Sequence, residues 1–359
     1  MQRKQISFKG QKIFVGIDVH KDSWRVAVAP EVGVIKGHTQ HPSAKELIDF
    51  LQKNYPDGDY HAVYESGFSG FSTYYALQEV GIGCIVVHAA DVPTTQYEEA
   101  MKTDRIDAAK LARSLKAGLL KGIYIHARDD IDARSVIRIR KTIQKQLSGY
   151  KSGIKHMLHS NGVRFPERFS RSGTHWSRAF IKWLEEDVVL LSATRDSLDL
   201  LLVQVRAVRE TLLKATRKRR ALSRSERFRH EHDLPLTIPG IGTNVAMAVL
   251  TEIGSIGRFR NEREFASYLG LIPTSHSSGD KVAHGEKTFR GNKKLGPQLI
   301  EAAWVSIVRD RELGCAYFDY KKRMEPQKAI VRIARKLSNI ILSVLKNGKA
   351  YEPYNWCGK

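Results

Sequence analysis

The chain has 359 residues, 42% of them hydrophobic, enough for two domains or three small ones with real cores. Lys and Arg number 59 against 38 acids, giving a net charge of +21 and a pI near 9.8. Membrane and secreted classes are set aside. No apolar run of about 18 residues is present, Val188–Val208 is broken by Arg195, Asp196 and Asp199, and the N-terminal stretch has no signal-peptide core before Asp18. Cys84, Cys315 and Cys357 are scattered without CxxC spacing, which argues against a zinc ribbon or a disulfide framework and fits a reducing compartment. The surplus charge asks for a polyanionic partner, nucleic acid before an acidic membrane surface.

In chain order, KIFVGIDV is a β-branched run read as a strand. SWRVAVAP is a second strand, joined to the first by a hairpin through HKD, and VGVIKGHTQ a third. SAKELIDFLQKNY has helical periodicity, with Ser43 as N-cap and Glu46 three residues on. HAVYES is a strand, FSTYYALQEVG a helix ended by Gly81, CIVVHA a strand, and TDRIDAAKLARSLKAG a helix stopped by Gly118. The order β-β-β-α-β-α-β-α predicts an α/β sheet with helices packed on it, over residues 1–126.

From 127 to 233 the apolar residues recur at three- and four-residue spacing. SVIRIRKTIQKQLSGYKSGIKHMLHSNG and DVVLLSATRDSLDLLLVQVRAVRETLLKATRKRRA predict an antiparallel helical hairpin of coiled-coil type. The run Arg217–Arg220 (RKRR) reads equally as a complement to a helix C-terminus and as a phosphate-contact patch. From 234 to 359 a mainly α domain is expected. LPLTIPGIGTNVAMAVLTEIG has a helix-hairpin-helix pattern. Gly240 and Gly242 let the backbone turn tightly and present N–H groups to a phosphate, or simply connect two helices. EREFASYLGL is a short helix, and TSHSSGDKVAHGEKTFRGNKK a polar, glycine-bearing loop. GPQLIEAAWVSIVRD and KAIVRIARKLSNIILSVLKNG are further helices.

Four acids stand at element ends. Asp18 closes FVGID and Glu65 closes AVYES, while Asp104 and Asp107 lie three apart at a helix start, on one face about 5–6 Å apart. Each has an ordinary reading as well: a turn residue at Asp18, an exposed strand end at Glu65, and a cap at Asp104 with Asp107 near N3. Clustered acids on a basic protein suit a divalent cation that polarises a scissile phosphate, and Mg²⁺ prefers such oxygen ligands.

GIDVHK (16–21), YESGFSG (64–70) and MKTDRIDAAKLA (101–112) together resemble the DEDD transposases of insertion sequence family 110. The N-terminal domain of that family is similar to the RuvC Holliday-junction resolvase, an RNase H-like fold. The resemblance continues through IPGIG (238–242), FASYLGLIPTSHSSG (265–279), FRGNKKLGPQLIEAAW (289–304) and AIVRIARKLSNIILSVLKNG (329–348), and is loose only in the central helices. It implies a site for Mg²⁺, or Mn²⁺, on Asp18, Glu65, Asp104 and Asp107. It also implies a catalytic serine at Ser278, with Ser275 and Ser277 as neighbouring alternatives. That hydroxyl would attack a DNA phosphodiester and form a transient phosphoserine, beside the acids by folding or through a partner subunit. His276 and His284 lie nearby without an assigned role. Lys281, Arg290, Lys293 and Lys294 read as phosphate contacts or as solvated surface.

The implied partners are donor and target DNA, a guide RNA encoded by the element, and further copies of the chain in a dimer or tetramer. The central helices are the natural assembly surface, and the setting is a bacterial or archaeal cytoplasm, at the nucleoid. Two competing readings stay open. One is a RuvC-like junction endonuclease that uses metal-activated water and no serine. The other is a non-enzymatic nucleic-acid scaffold whose acids are only caps and turn residues.

Overall fold

The computed structural model describes residues 7–101, 103–278, 281–287 and 291–353. The chain divides into two compact units, Met1–Ile125 and His126–Lys359.

The first unit runs β1 (Lys12–Val19), β2 (Trp24–Pro30), β3 (Lys36–Gln40), α1 (Ala44–Asn54), β4 (Asp59–Glu65), α2 (Ser72–Glu79), β5 (Gly83–Val87), α3 (Gln96–Ala100) and α4 (Asp104–Lys116). The strands form one sheet in the order β3-β2-β1-β4-β5. Pairing is antiparallel from β3 to β1 and parallel from β1 to β5. Strand alternation sorts the residues into two layers. Ile13, Val15 and Ile17 of β1, with Val26, Val28, Ala62 and Tyr64, pack against Leu47, Ile48 and Leu51 of α1 and Leu77 of α2. The opposite face presents Phe14, Ala27, Ala29 and Val63 to Ala108, Leu111 and Ala112 of α4. Ser43 caps α1 as expected, its hydroxyl accepting from the Glu46 N–H at 3.2 Å.

The third strand is shorter than VGVIKGHTQ suggests. It begins at Lys36, and Val32 and Val34 are exposed. Gly33, at φ +134°, turns the chain before pairing starts.

Helix α4 lies on β1 at backbone distance. A Cβ built on Gly16 would stand 2.2 Å from the Ala108 carbonyl oxygen and 2.5 Å from the Ala112 nitrogen. Only glycine at this strand position, facing a seam of alanines, permits the approach.

The second unit runs α5 (Arg128–Ser160), α6 (Arg178–Glu186), α7 (Ser192–Ser223), α8 (Glu226–Leu236), α9 (Thr243–Ile253), α10 (Glu262–Tyr268), β6 (Pro273–Ser278), β7 (Lys281–Lys287), α11 (Leu295–Arg309), α12 (Arg311–Lys321) and α13 (Pro326–Asn347). Helices α5 and α7 form the long antiparallel pair. Leu147, Ile154 and Leu158 meet Leu198, Leu202 and Val205, and Arg140 Nε donates to Thr216 Oγ1 at 3.1 Å. Helix α5 begins at Arg128, ahead of the expected SVIRIRK, and α7 begins at Ser192. Residues 187–191 instead carry the turn out of α6, with Asp187 as its C-cap. An aromatic group at the turn end, Phe165, Phe169, Phe180 and Trp183, fills the space between the two long helices.

A second core joins α9, α10, α11 and α13 through Val249, Phe265, Leu299, Ile333 and Leu337. The expected boundary at 233/234 falls inside α8. Ala133, Phe228, Met247 and Leu250 cluster across it.

Where a loop was expected, Pro273–Ser278 and Lys281–Lys287 pair as a two-stranded antiparallel ribbon, with Ser278 opposite Lys281. Its residues are mostly polar in both alternating sets, so no apolar period of two marks it as β. Among the described residues, no helix is long and apolar enough to cross a membrane.

Gly16→Ala is expected to lower the unfolding free energy by about 1–3 kcal/mol, because the new methyl meets backbone and not a movable side chain. Chemical denaturation reads this directly. An unchanged midpoint would show that α4 is not held at this distance.

Candidate functional site

The close approach of α4 decides where its first turn lies. Asp18 follows Gly16 by two residues, on the same face of β1, at the carboxyl end of the strand. Helix α4 runs back along β1 and brings its N-terminus to that end. Asp18 Oδ2 lies 3.1 Å from His20 Nε2, which is itself 3.6 Å from Asp104 Oδ2. One ligand atom from each of Asp18, His20 and Asp104 falls within 4.8 Å of the others. Burial raises the Asp18 carboxyl above the usual range. His20 pulls it back, and the charges of Asp104 and Asp107 push it up again.

The other two acids occupy the same end of the unit. The parallel register of β1 and β4 runs to Ile17 opposite Tyr64, so Asp18 and Glu65 are the next residues on adjacent strands. Glu65 shares its face of β4 with Val63, which packs on Leu111 of α4. Asp107 is largely buried and accepts a hydrogen bond from Lys110 Nζ at 3.1 Å. The cap of α4 is Thr103, not Asp104. Its Oγ1 accepts from the Ile106 N–H at 3.4 Å, which makes Asp104 the first helical residue. Neither aspartate is needed to close the helix end, although both suit its positive pole.

Two carboxylates and an imidazole at these separations form a fitting donor set for a hard divalent cation. Oxygens suit Mg²⁺, and the imidazole extends the range to Mn²⁺. The like charges acting on Asp18 are those a cation would relieve. His20 has no signal in the sequence beyond its place in a turn. Its one clue is the spacing Asp-x-His at a strand end.

In the second unit, IPGIG makes the turn between α8 and α9. Gly240 has φ +93°, and a Cβ there would meet Ser306 Oγ at 2.2 Å, so this glycine seats α11 on the turn. Gly242 is the N-cap of α9 without a side-chain cap bond, and a Cβ there would meet nothing within 4 Å. Of the two expected phosphate-binding glycines, Gly240 is thus held by packing and Gly242 leaves a helix start open.

Ser278 and Lys281 lie on the paired strands of the ribbon. Their side chains, like those of Ser275, Ser277, His276 and His284, fall outside the described residues, as does Arg290 altogether. Lys293 and Lys294 are exposed in the turn before α11.

A network absent from the sequence expectations fixes that turn. Asn292 Oδ1 accepts from the N–H groups of Lys294 and Leu295 at 3.0 and 2.9 Å. Its Nδ2 donates to the Tyr268 hydroxyl at 2.9 Å and to Glu252 Oε2 at 3.2 Å. Glu252, buried on α9, takes two 2.7 Å hydrogen bonds from the Arg138 guanidinium. Burial pushes the Glu252 carboxyl up, but Arg138, Asn292 and Arg134 together outweigh it and the net displacement is downward. Gly291 packs on Gly270, where a Cβ would come within 2.3 Å of its Cα. The visible signal was a lone acid in an otherwise apolar helix, VAMAVLTEI.

Comparison with known proteins agrees with this arrangement at both ends of the chain. A DEDD transposase model of IS110 elements matches residues 15–161, which hold all four acids. A model described as transposase of the IS116/IS110/IS902 family matches residues 233–318, which hold the IPGIG turn and the ribbon. A Sinorhizobium fredii protein carrying a transposase name, y4qE, is 27% identical over 302 residues, covering 82% of this chain and 72% of the relative. The transposase for insertion sequence element IS1533 of Leptospira borgpetersenii is 23% identical over 258 residues, covering 70% of this chain and 73% of the relative. The pilin gene-inverting protein of Moraxella bovis is 33% identical over 131 residues, covering 34% of this chain and 39% of the relative. Two family models in the right order, with relatives spanning most of the chain, make one assignment: this chain belongs to the IS110-type DEDD transposases.

Proposed function

We propose that the protein cleaves and rejoins DNA at the ends and target of its own insertion sequence, through a RuvC-like acid site and a serine nucleophile. The observation that carries the first half is the convergence of Asp18 and Asp104 with His20 at the carboxyl edge of the sheet. Asp18, Glu65, Asp104 and Asp107 would hold Mg²⁺ or Mn²⁺, with His20 turned toward the same point. When bound, the cation supplies charge neutralisation at the scissile phosphate.

The chain's own contribution is positional. Gly16 seats α4, and α4 brings its aspartates to Asp18. The serine half rests on the family match. The Ser278 oxygen forms a bond to phosphorus and the bond to one deoxyribose oxygen breaks. The serine proton passes to a base, and the departing oxygen takes up a proton as a hydroxyl. The phosphoserine conserves the ester for rejoining. The Moraxella relative is named for inverting a pilin gene, and an inverted segment has ends that must be joined again. A net charge of +21 suits a chain that holds a guide RNA and two DNA duplexes by their backbones, in an assembly of several copies.

His20 supports one alternative. An exposed imidazole hydrogen-bonded to Asp18 is equipped to take a proton from water, as hydrolytic junction cleavage requires.

Two sets of variants separate these readings. Ser278→Ala is expected to abolish strand exchange and the covalent protein–DNA adduct trapped on a nicked substrate. Full exchange by this variant, with no adduct in the wild type, would leave the hydrolytic reading. Thr103→Ala and Asp104→Asn test the acid site. The first should cost about 1 kcal/mol of stability and leave Mn²⁺ binding intact. The second should keep stability within about 0.5 kcal/mol and weaken Mn²⁺ binding measured by calorimetry. The reverse pattern would make Asp104 a structural residue and favour the scaffold reading.

A further inference from the structure

The basic end of α7 and the turn leading into α9 enclose a pocket of about 480 Å³. Arg219, Arg220 and Arg224 line it from α7 and its C-cap, Arg229 and His232 from α8, and Thr243 from the first position of α9. Asp233 is the acid that lines it. It faces His232, with Oδ1 3.0 Å from Nδ1.

Two polar groups inside this pocket are buried and unsatisfied. Arg219 is 7% exposed, and its Nε donates to nothing among the described residues. His232 is 8% exposed, and its Nε2 likewise has no partner among them. Elsewhere in this unit the partly exposed Arg138 and Arg227 pair with Glu252 and Asp130, and a guanidinium as buried as that of Arg219 calls for an acceptor of its own. Around Arg219 the neighbours are cations instead. Burial, then the charges of Arg140 and Arg220, hold its guanidinium below the ordinary value. The rim residues Arg220, Arg224 and Arg229 are exposed, and Arg229 Nε donates to His230 at 3.2 Å. On the third side is the start of α9, where Gly242 leaves the helix N–H groups without a side-chain cap.

A pocket with a buried guanidinium in its floor, an arginine rim and an open helix start is built for a tetrahedral anion. We propose that it binds a backbone phosphate of nucleic acid, with Arg219 and His232 beneath the phosphate and the α9 N-terminus beside it. Arg217 and Lys218 are exposed on the same helix and carry the basic surface beyond the pocket mouth, as a polymer requires and a lone ion does not. This site rests on the reading that the protein acts on nucleic acid, and it assigns the RKRR run a role in holding it.

The test uses the full chain and a short labelled duplex of arbitrary sequence, with anisotropy measured over a salt series. Arg219→Gln should weaken binding about tenfold and lower the slope of log K against log salt by about one, and His232→Gln should weaken binding as well. Arg224→Ala, at an exposed rim position, should show the same slope change and covers the case in which Arg219→Gln fails to fold. Wild-type affinity and slope in Arg224→Ala and in the folded buried-site variants would overturn the proposal. So would stabilisation of the wild type by inorganic phosphate while the variants bind duplex normally, since the site would then take a free anion. Failure of the wild type itself to bind any duplex would sink the functional reading, whereas unchanged binding by the variants sinks only this one.

Discussion

The contact between Gly16 and the backbone of α4 is the constraint from which the acid site follows. It sets the height of the helix over the sheet and the point at which the two cross. From that point Asp18 lies two strand residues on, about 7 Å. Asp104 lies four helical residues back from Ala108, about 6 Å. The helix runs antiparallel to the strand, so both displacements carry the acids the same way. Side chains that are eighty-six positions apart in sequence meet because a hydrogen atom stands where every other residue type has a Cβ. The alanines of the seam, Ala27, Ala29, Ala108 and Ala112, extend the same condition over the neighbouring strand.

The second unit uses charge in two distinct ways. On α9, Glu252 gathers Arg138 and Asn292 into a closed network that fixes the chain between the ribbon and α11. Every strong donor there has an acceptor. At the end of α7 the bookkeeping does not close: Arg219 Nε and His232 Nε2 are buried without a hydrogen-bond partner among the described residues, in a pocket with arginines at its edge. A net charge of +21 alone makes no such distinction.

Most of the α/β order could be read from the sequence, because β1, β2, β4 and β5 carry apolar runs and α1, α2 and α4 show helical periodicity, whereas the polar β3 was overextended and α3 was not foreseen. Asp18, Glu65, Asp104 and Asp107 stood out as acids at element ends. What could not be read depended on distance across the fold. Thr103 and Asp104 are both good capping residues, and only the backbone geometry separates them. His20 looks like any turn residue until α4 arrives beside it. The ribbon carrying Ser278 has polar residues on both faces, so its strands lack the signal that marked the others. Helix α12 and the aromatic group around Phe180 were also missed. The period was there in the second case: Phe180, Trp183 and Leu184 keep the i, i+3, i+4 spacing of a helix face over the nine residues of α6.

Lys110 gives the acid site a further property. Its side chain is nearly buried beside Asp107, and the ammonium lies 3.1 Å from the carboxylate. The acid cluster therefore carries its own internal counter-ion. In the metal site proposed above, a divalent cation reaching Asp107 would compete with a tethered ammonium that cannot diffuse away. Binding would then be an exchange of positive charges rather than a simple gain, and would be weaker for the same ligands.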